Sequence, residues 1–293
     1  MRKLEGTYTA LVTPFAADET IDTPALDALV EAQIDGGVSG LVPCGTTGES
    51  PALSHAEQRD VIRRVVEVAK KRVQVIAGAG SNSTRATVEL ARAAEKAGAD
   101  AVMIVVPYYN KPTQDGLVHH FVTVAASVSC PVVVYNVPAR TGIDLAAASL
   151  ARICEQSPNV VATKEATGNV LRAQELARLL GGRITVLSGD DALTLPMAAV
   201  GARGVISVTS NVLPRQVARA TDLALHGDRR AALDAHLELL PVHEAMFIEA
   251  NPGPAKAALA LRGAMRDTVR GPLAPVSEKT RRAVAAALEP FSA

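Results

Sequence analysis

The chain has 293 residues, a length that fits either two domains or one large β/α barrel. Its composition, 48% hydrophobic and 20% charged, is typical of a globular protein with a sizeable core. Basic and acidic residues both number 30, so the net charge gives no reason to expect nucleic acid or an anionic membrane as a partner.

Several other classes of protein are disfavoured by the sequence. No apolar run reaches the ~18 residues that a membrane-spanning helix needs. The amino-terminal segment is interrupted at Gly6 and Pro14 before a secretory core develops. Cys44, Cys130 and Cys154 are too scattered for a disulfide framework or a zinc site, and the histidines lack metal-binding spacing. We therefore expect a soluble, cytoplasmic protein without a metal or cofactor.

Short apolar runs alternate with amphipathic stretches along the chain. Strands are predicted at 7–13, 40–43, 73–77, 101–106, 132–135, 160–164, 184–188 and 205–208. Helices are predicted at 24–35, 54–71, 82–97, 114–127, 145–156, 169–180 and 193–200. Eight β/α units by about residue 227 predict an α/β fold, a (β/α)8 TIM barrel. A doubly wound open sheet is the alternative, although the first strand–helix turn lacks G-x-G-x-x-G.

The last part of the chain has a different pattern. From residue 228 onward it is rich in Ala, Leu and Arg, with breaks at Asn251-Pro252-Gly253-Pro254 and Gly271-Pro272. We predict two domains, a barrel over residues 1–227 and a C-terminal helical domain over residues 228–293. About three helices are expected there, packed on the barrel or against another subunit.

Lys164 ends a β-branched run, Val160-Val161-Ala162-Thr163, that is expected to be buried. Burial of an ammonium is costly, and it lowers the pKa of an amine towards the range in which it forms a Schiff base with a carbonyl. Because active sites of such barrels lie at the carboxyl ends of the strands, Lys164 is the candidate nucleophile. A buried ion pair with Glu165 or an aspartate is the alternative explanation.

The remaining lysines lack this setting. Lys111 is placed in a loop at the strand ends without apolar surroundings. The others are expected at the terminus or on solvent-facing helical stretches: Lys3, Lys70, Lys71, Lys96, Lys256 and Lys279.

Partners for Lys164 gather at the other strand ends. Tyr135 ends the preceding strand, and its phenol can donate and accept a proton, with Thr46 as a link to solvent. Tyr108 and Tyr109 are further candidates, although core packing is an equally good explanation for any one tyrosine. Cys44 is best interpreted as a small buried hydrophobe.

Two features predict carboxylate recognition. Gly45-Thr46-Thr47-Gly48 provides backbone amides and two hydroxyls, and Arg140 provides a bidentate fork, unless it is merely a surface arginine. Phosphate is disfavoured, because the loop after strand seven carries Asp190-Asp191.

Six motifs in order resemble the dihydrodipicolinate synthase/N-acetylneuraminate lyase family, and the similarity runs essentially end to end. They are G-T-T-G-E at 45–49, P-Y-Y-N at 107–110, Y-N-V-P-x-R-T-G at 135–142, K-E-A-T-G at 164–168, S-G-D-D at 188–191 and G-V-I-S-V-x-S-N at 204–211. The N-P-x-P-x-K stretch at 251–256 also fits.

The resemblance to the synthases implies a lyase that condenses pyruvate with L-aspartate 4-semialdehyde in the diaminopimelate route to lysine. It implies Lys164 as the imine-forming residue, with Tyr135, Thr46 and a neighbouring subunit's Tyr109 relaying protons. It further implies a homotetramer of tight dimers. The implied substrate-binding residues are Thr47 with Thr46 for the pyruvate carboxylate, Arg140 for the semialdehyde carboxylate, and Gly189 and the Ile206 carbonyl lining the pocket.

The resemblance also marks a degenerate lysine-binding allosteric site. The matching positions are Ser50, Pro51, His55, Gln58, Asn82, Ala86 and Tyr108. Ala86 stands where lysine-sensitive bacterial enzymes carry a carboxylate, and Gln58 stands where histidine or glutamate is usual. We expect weak or absent inhibition by lysine.

Two alternative functions stay open at this point. One is a pyruvate-dependent aldolase or lyase acting on another 2-oxo acid, although neuraminate lyases typically read G-S-T-G-E and lack the arginine. The other is a catalytically silent barrel used as a binding module.

Overall fold

A computed structural model describes residues 3–291, and within them the chain forms eight strands and twelve α-helices. The strands are β1 (Gly6–Ala10), β2 (Gly40–Val42), β3 (Gln74–Gly78), β4 (Ala101–Val105), β5 (Val132–Asn136), β6 (Val160–Glu165), β7 (Thr185–Ser188) and β8 (Gly204–Ser207). Their lengths follow from the short apolar runs of the sequence, each of which ends at a polar or glycine-bearing segment.

The strands form one closed parallel barrel in chain order, with β8 pairing back onto β1. The predicted (β/α)8 barrel is confirmed, and the alternative of an open doubly wound sheet is wrong. Closure is possible because each strand is followed by a helical crossover that returns the chain to the same end of the barrel.

Helices cover the outside of the barrel. The helices are α1 (Thr23–Asp35), α2 (His55–Ala69), α3 (Thr84–Lys96), α4 (Gln114–Ala125), α5 (Pro138–Thr141), α6 (Ala147–Gln156), α7 (Val170–Leu180), α8 (Thr194–Ala199), α9 (Pro214–His226), α10 (Arg229–Ala245), α11 (Gly253–Leu261) and α12 (Glu278–Leu288). A capping box begins α2, in which the side chains of Ser54 and Glu57 each accept a hydrogen bond from the other residue's backbone N–H.

Element boundaries differ from the sequence prediction by a few residues. The first strand ends at Ala10 instead of residue 13, and α6 begins at Ala147 instead of residue 145. Apolar residues extend beyond the last strand residue of β1 and precede the first helical residue of α6. Hydrophobic periodicity alone therefore does not locate either boundary.

The core has two layers separated by the barrel wall. Residues that face outward pack against the helices, and a smaller cluster that includes Tyr8, Met103, Leu187 and Ile206 fills the barrel interior. Tyr135 belongs to this inner cluster. The interior is therefore packed and apolar, so a charged side chain buried there is costly unless a group of opposite charge or a hydrogen bond stabilises it.

The C-terminal helices pack on the barrel. α10 lies against α9, and α11 and α12 pack on each other. Arg270, in the segment between these two helices, bonds to Glu57 at the start of α2. The division into two domains near residue 227 remains a prediction.

α4 buries an ionisable residue, His120, which is 3% exposed. Its Nδ1 lies 2.9 Å from the Thr84 hydroxyl, and its Nε2 is buried without a hydrogen-bond partner among the described residues. Burial lowers the pKa of His120 from 6.5 to about 4. The neighbouring His119 is exposed.

We predict that His120 makes the fold acid-sensitive. Since the unfolded chain binds a proton with a pKa near 6.5 and the folded chain only near 4, the free energy of unfolding should fall as the pH drops through this window. One such group contributes a slope of at most about 1.4 kcal/mol per pH unit. Urea unfolding at several pH values between 4 and 7 measures it.

His120→Asn keeps a polar atom for Thr84 but does not titrate, so its stability should fall less steeply over that window than that of the wild type. His119→Asn is the matched control and should keep most of the wild-type slope, because burial is a larger cause of the lowered His120 pKa than the charge of His119. Parallel curves for the wild type and His120→Asn would remove His120 as the source.

Candidate active site

Lys164 and Tyr135 lie side by side at the carboxyl ends of two neighbouring strands. The register of β5 and β6 pairs Tyr135 with Lys164, so their side chains share the inner face of the barrel. The Lys164 Nζ atom lies 4.2 Å from the centroid of the Tyr135 ring, and each residue is 5% exposed. The amine is thus held against an aromatic face in an apolar interior.

The Lys164 amine forms no ion pair with a carboxylate of residues 3–291. Within residues 3–291 the lysines that form ion pairs are Lys71 and Lys256, and Lys164 is not among them. Glu165, the partner considered from sequence, points to the outer face, because successive strand residues alternate. The ion-pair explanation of Lys164 is therefore wrong.

Glu165 instead belongs to a group of polar side chains on the outer side of β5 and β6. Its Oε1 accepts from the Thr167 N–H at 2.7 Å, and its Oε2 accepts from Asn136 Nδ2 at 3.4 Å. Asn136 also donates to Asp144, which pairs with Arg172. Burial raises the pKa of Glu165. These bonds join the ends of β5 and β6 directly behind the Tyr135–Lys164 pair.

The Gly45–Glu49 loop presents its threonines at the same end of the barrel. The amides of Gly48 and Glu49 bond back to the carbonyls of Gly45 and Thr46, so they are not free for a ligand. The set of free backbone amides in this loop is therefore smaller than predicted. Thr46 lines a cavity, whereas Thr47 is buried and its Oγ1 accepts from Asn251 Nδ2 at 3.0 Å.

Lys256 corrects the sequence analysis. We expected a solvent-facing lysine, but it is fully buried and pairs with Glu49 at 2.5 Å. Its Nζ also donates to the Thr268 carbonyl and lies 4.1 Å from the centroid of the Phe15 ring. Burial lowers the pKa of Lys256, an effect that the Glu49 charge opposes. The ion pair with Lys256 fixes the last residue of the Gly45–Glu49 loop, which we call the threonine loop.

A signal for this pair was present in the sequence. α11 reads GPAKAALAL, and a helix that is apolar on all sides is buried, so its single lysine needed an anion. The glutamate that closes the G-T-T-G-E motif supplies it, from a position 207 residues earlier in the chain.

Arg140 and Thr46 line one cavity of about 360 Å³ at the carboxyl end of the barrel. Arg140 is exposed at the rim, on the short helix α5 that follows β5. Tyr108 and Val137 line the same cavity. The sequence-predicted arginine therefore faces an opening that leads towards the threonine loop.

Tyr109 does not join this group within one chain. It is 87% exposed and has a left-handed backbone, with φ of 71°. Among residues 3–291 no hydrogen bond engages the hydroxyl of Tyr135, so the relay to Thr46 is not formed directly. Catalytic hydrogen bonds are often long in proteins without ligand and tighten on binding.

Gly189 directly follows the end of β7, and Ile206 lies on β8. Ile206 is fully buried in the inner cluster. The Gly189 N–H donates to the Glu165 carbonyl at 2.8 Å, and a Cβ there would stand 2.5 Å from Ala166 Cβ. A side chain at this position would displace the turn that follows Lys164.

Residues matching the lysine-binding site fall in two groups. Ser50, His55, Gln58 and Tyr108 line the cavity already described. Asn82 and Ala86 lie at the start of α3, where the Ser83 side chain caps the Ala86 N–H. Gln58 is already engaged, because its Nε2 donates to the carbonyls of Ser50 and Leu53.

The structure also bears on Cys44, on possible metal sites and on possible membrane-spanning helices. Burial raises the pKa of the Cys44 thiol to about 12, which fits a structural residue. The described residues contain no group of three or more His, Cys, Asp or Glu side chains suited to a metal ion. No helix in residues 3–291 has both the length and the hydropathy to cross a membrane.

The chain closes eight parallel strands into a (β/α)8 barrel and places the buried Lys164 amine beside Tyr135 at the carboxyl ends of β5 and β6. The chain belongs to the dihydrodipicolinate synthetase family, whose model matches residues 3–290. This confirms the family resemblance of the six motifs.

The relatives match over their full length. A 4-hydroxy-tetrahydrodipicolinate synthase of Sorangium cellulosum is 61% identical, covering 99% of this chain and 97% of the relative. One from Geobacter sulfurreducens is 48% identical, covering 98% of each. The structure of the 4-hydroxy-tetrahydrodipicolinate synthase from Methylacidiphilum fumariolicum superposes with a TM-score of 0.96 at 44% identity, covering 98% of this chain and 95% of that one.

Proposed function

We propose that the protein is a lyase that condenses pyruvate with L-aspartate 4-semialdehyde, as its relatives' names imply. The observation that carries the proposal is the Lys164 amine, buried without a carboxylate partner and 4.2 Å from the Tyr135 ring centroid. Such an amine is a nucleophile for a carbonyl carbon, and a 2-oxo acid supplies one.

The reaction begins when the amine of Lys164 attacks C2 of pyruvate. The carbinolamine loses water to give an imine, and loss of a methyl proton gives the enamine. These steps move protons at the former carbonyl oxygen, and the Tyr135 hydroxyl next to the amine is the group that transfers them, through Thr46. The hydroxyls of Thr46 and Thr47 hold the pyruvate carboxylate.

The second substrate, the semialdehyde, binds at the rim of the cavity that Arg140 and Thr46 line. The enamine carbon attacks the aldehyde of the semialdehyde, while Arg140 at the rim binds its carboxylate as a bidentate fork. The amine of the semialdehyde then displaces Lys164 from the imine, which closes the ring and regenerates the enzyme. Gly189 and the Ile206 carbonyl line the space in which the ring forms.

The assembly is part of the proposal. We infer a homotetramer of tight dimers in the cytoplasm, in which Tyr109 reaches the neighbouring subunit's site. Its 87% exposure and left-handed backbone support this role, because a tyrosine held away from its own barrel has a large contact surface to offer. No cofactor takes part in the scheme.

We predict that the protein forms a heterocyclic product from pyruvate and L-aspartate 4-semialdehyde and does not cleave N-acetylneuraminate. Product formation is followed by mass spectrometry with each substrate in turn. Cleavage of the sugar acid without condensation would contradict the proposal in favour of a lyase acting on longer 2-oxo acids. No reaction with either substrate would favour a silent barrel.

Arg140→Ala should raise KM for the semialdehyde by about 10- to 100-fold, because a charge-assisted contact of about 1.5–3 kcal/mol is lost. KM for pyruvate should stay unchanged. Arg178→Ala, at an exposed arginine of α7, is the control and should behave as the wild type. Unchanged semialdehyde kinetics in Arg140→Ala would remove Arg140 from the site.

We predict half-inhibition by lysine only above roughly millimolar concentration. Ala86 offers no charge to the lysine ammonium, which removes a contact of about 1.5–3 kcal/mol, and the Gln58 amide is already bonded to two carbonyls. Steady-state rates against lysine concentration measure it, with Ala86→Glu expected to strengthen the inhibition. Submillimolar half-inhibition of the wild type would contradict the prediction.

A further inference from the structure

Asn251 lies directly beneath the threonine loop, although it comes from the C-terminal helical segment. It is 6% exposed, and its Nδ2 donates to Thr47 Oγ1 at 3.0 Å. Its Oδ1 is buried without a hydrogen-bond partner among the described residues. A buried asparagine with one bond to a site threonine needs an explanation, because unsatisfied polar atoms are costly.

The direction of this bond decides what Thr47 can do. A threonine hydroxyl has one proton to donate and two lone pairs. Since Thr47 Oγ1 accepts from Asn251, its own proton is left to be donated elsewhere. A carboxylate, which only accepts, is the complementary ligand.

The segment that carries Asn251 is fixed firmly enough to impose this orientation. Five residues further on, Lys256 forms the buried ion pair with Glu49, two residues beyond Thr47. The Arg270 N–H also donates to Glu49, at 3.0 Å. Lys256 and Arg270 therefore both fix Glu49 at the end of the threonine loop, while Asn251 orients the hydroxyl of Thr47.

We propose that Asn251 is a positioning residue that presents the proton of the Thr47 hydroxyl to the substrate carboxylate. This inference rests on the proposed function, in which pyruvate is the first substrate. It assigns the C-terminal segment a part in substrate binding. Asn251 acts through Thr47 and does not itself contact the substrate.

The test is a double-mutant cycle on pyruvate binding. For the wild type, Asn251→Ala, Thr47→Val and the double variant, the fraction of protein trapped by borohydride is measured at increasing pyruvate concentration. The pyruvate concentration that gives half-maximal trapping is then compared among the four proteins. Each single variant should raise that concentration by about 3- to 10-fold, the effect of one hydrogen bond. The double variant should be no worse than Thr47→Val, because Asn251 has nothing left to orient.

Two further variants separate positioning from folding. Asn159→Ala removes an asparagine that bonds three carbonyls at the opposite end of β6. It should lower the melting temperature without changing half-saturation. Asn251→Asp is nearly isosteric but cannot donate, so it should draw the Thr47 proton to itself and weaken pyruvate binding more than Asn251→Ala does.

The outcomes are distinct. Multiplicative effects in the double variant would show that Asn251 acts independently of Thr47 and would overturn the proposal, as would unchanged half-saturation in Asn251→Ala. Failure of the wild type to trap pyruvate at all would instead overturn the proposed function. Asn251→Ala should weaken pyruvate binding but leave KM for the semialdehyde unchanged. A general loss of stability would not affect one substrate and spare the other.

Discussion

The rest of the site depends on one constraint, a buried lysine amine in an apolar barrel for which the described part of the chain provides no carboxylate partner. Burying a charged group without a partner is costly, so a lysine in this setting calls for a functional explanation. The β5–β6 register places the Tyr135 ring against it. Bonds among Glu165, Asn136 and Asp144 hold the two strand ends from the outer side.

Lys256 shows the opposite use of the same side chain. It is more deeply buried than Lys164, yet Glu49 pairs with it at 2.5 Å, and its ammonium also lies against an aromatic ring. A buried ion pair of this kind fixes a position and leaves no free nucleophile. In the proposed function, the chain therefore buries Lys164 for reaction, whereas it buries Lys256 as the ion-pair partner of Glu49 at the end of the Gly45–Glu49 loop.

Much of this arrangement was predictable from the sequence, because it depends on local patterns. Alternation of apolar runs and helical periods predicts the barrel, and a lysine at the end of a β-branched run is recognisable in one stretch. The Lys256–Glu49 and Asn251–Thr47 contacts were not predicted, since they join positions more than 200 residues apart. The exposure of Tyr109 likewise depends on a left-handed backbone that periodicity does not indicate. Family motifs identified these residues without explaining their geometry.

The most direct test of the account is to reduce the protein with borohydride in the presence of pyruvate and to map the modified peptide. Lys164 and Lys256 are both buried, so the experiment compares an unpaired amine with a paired one in the same molecule. The account predicts one pyruvate adduct per chain, on Lys164, and none in Lys164→Ala. An adduct on Lys256 or Lys111, or an unmodified Lys164 peptide, would contradict it.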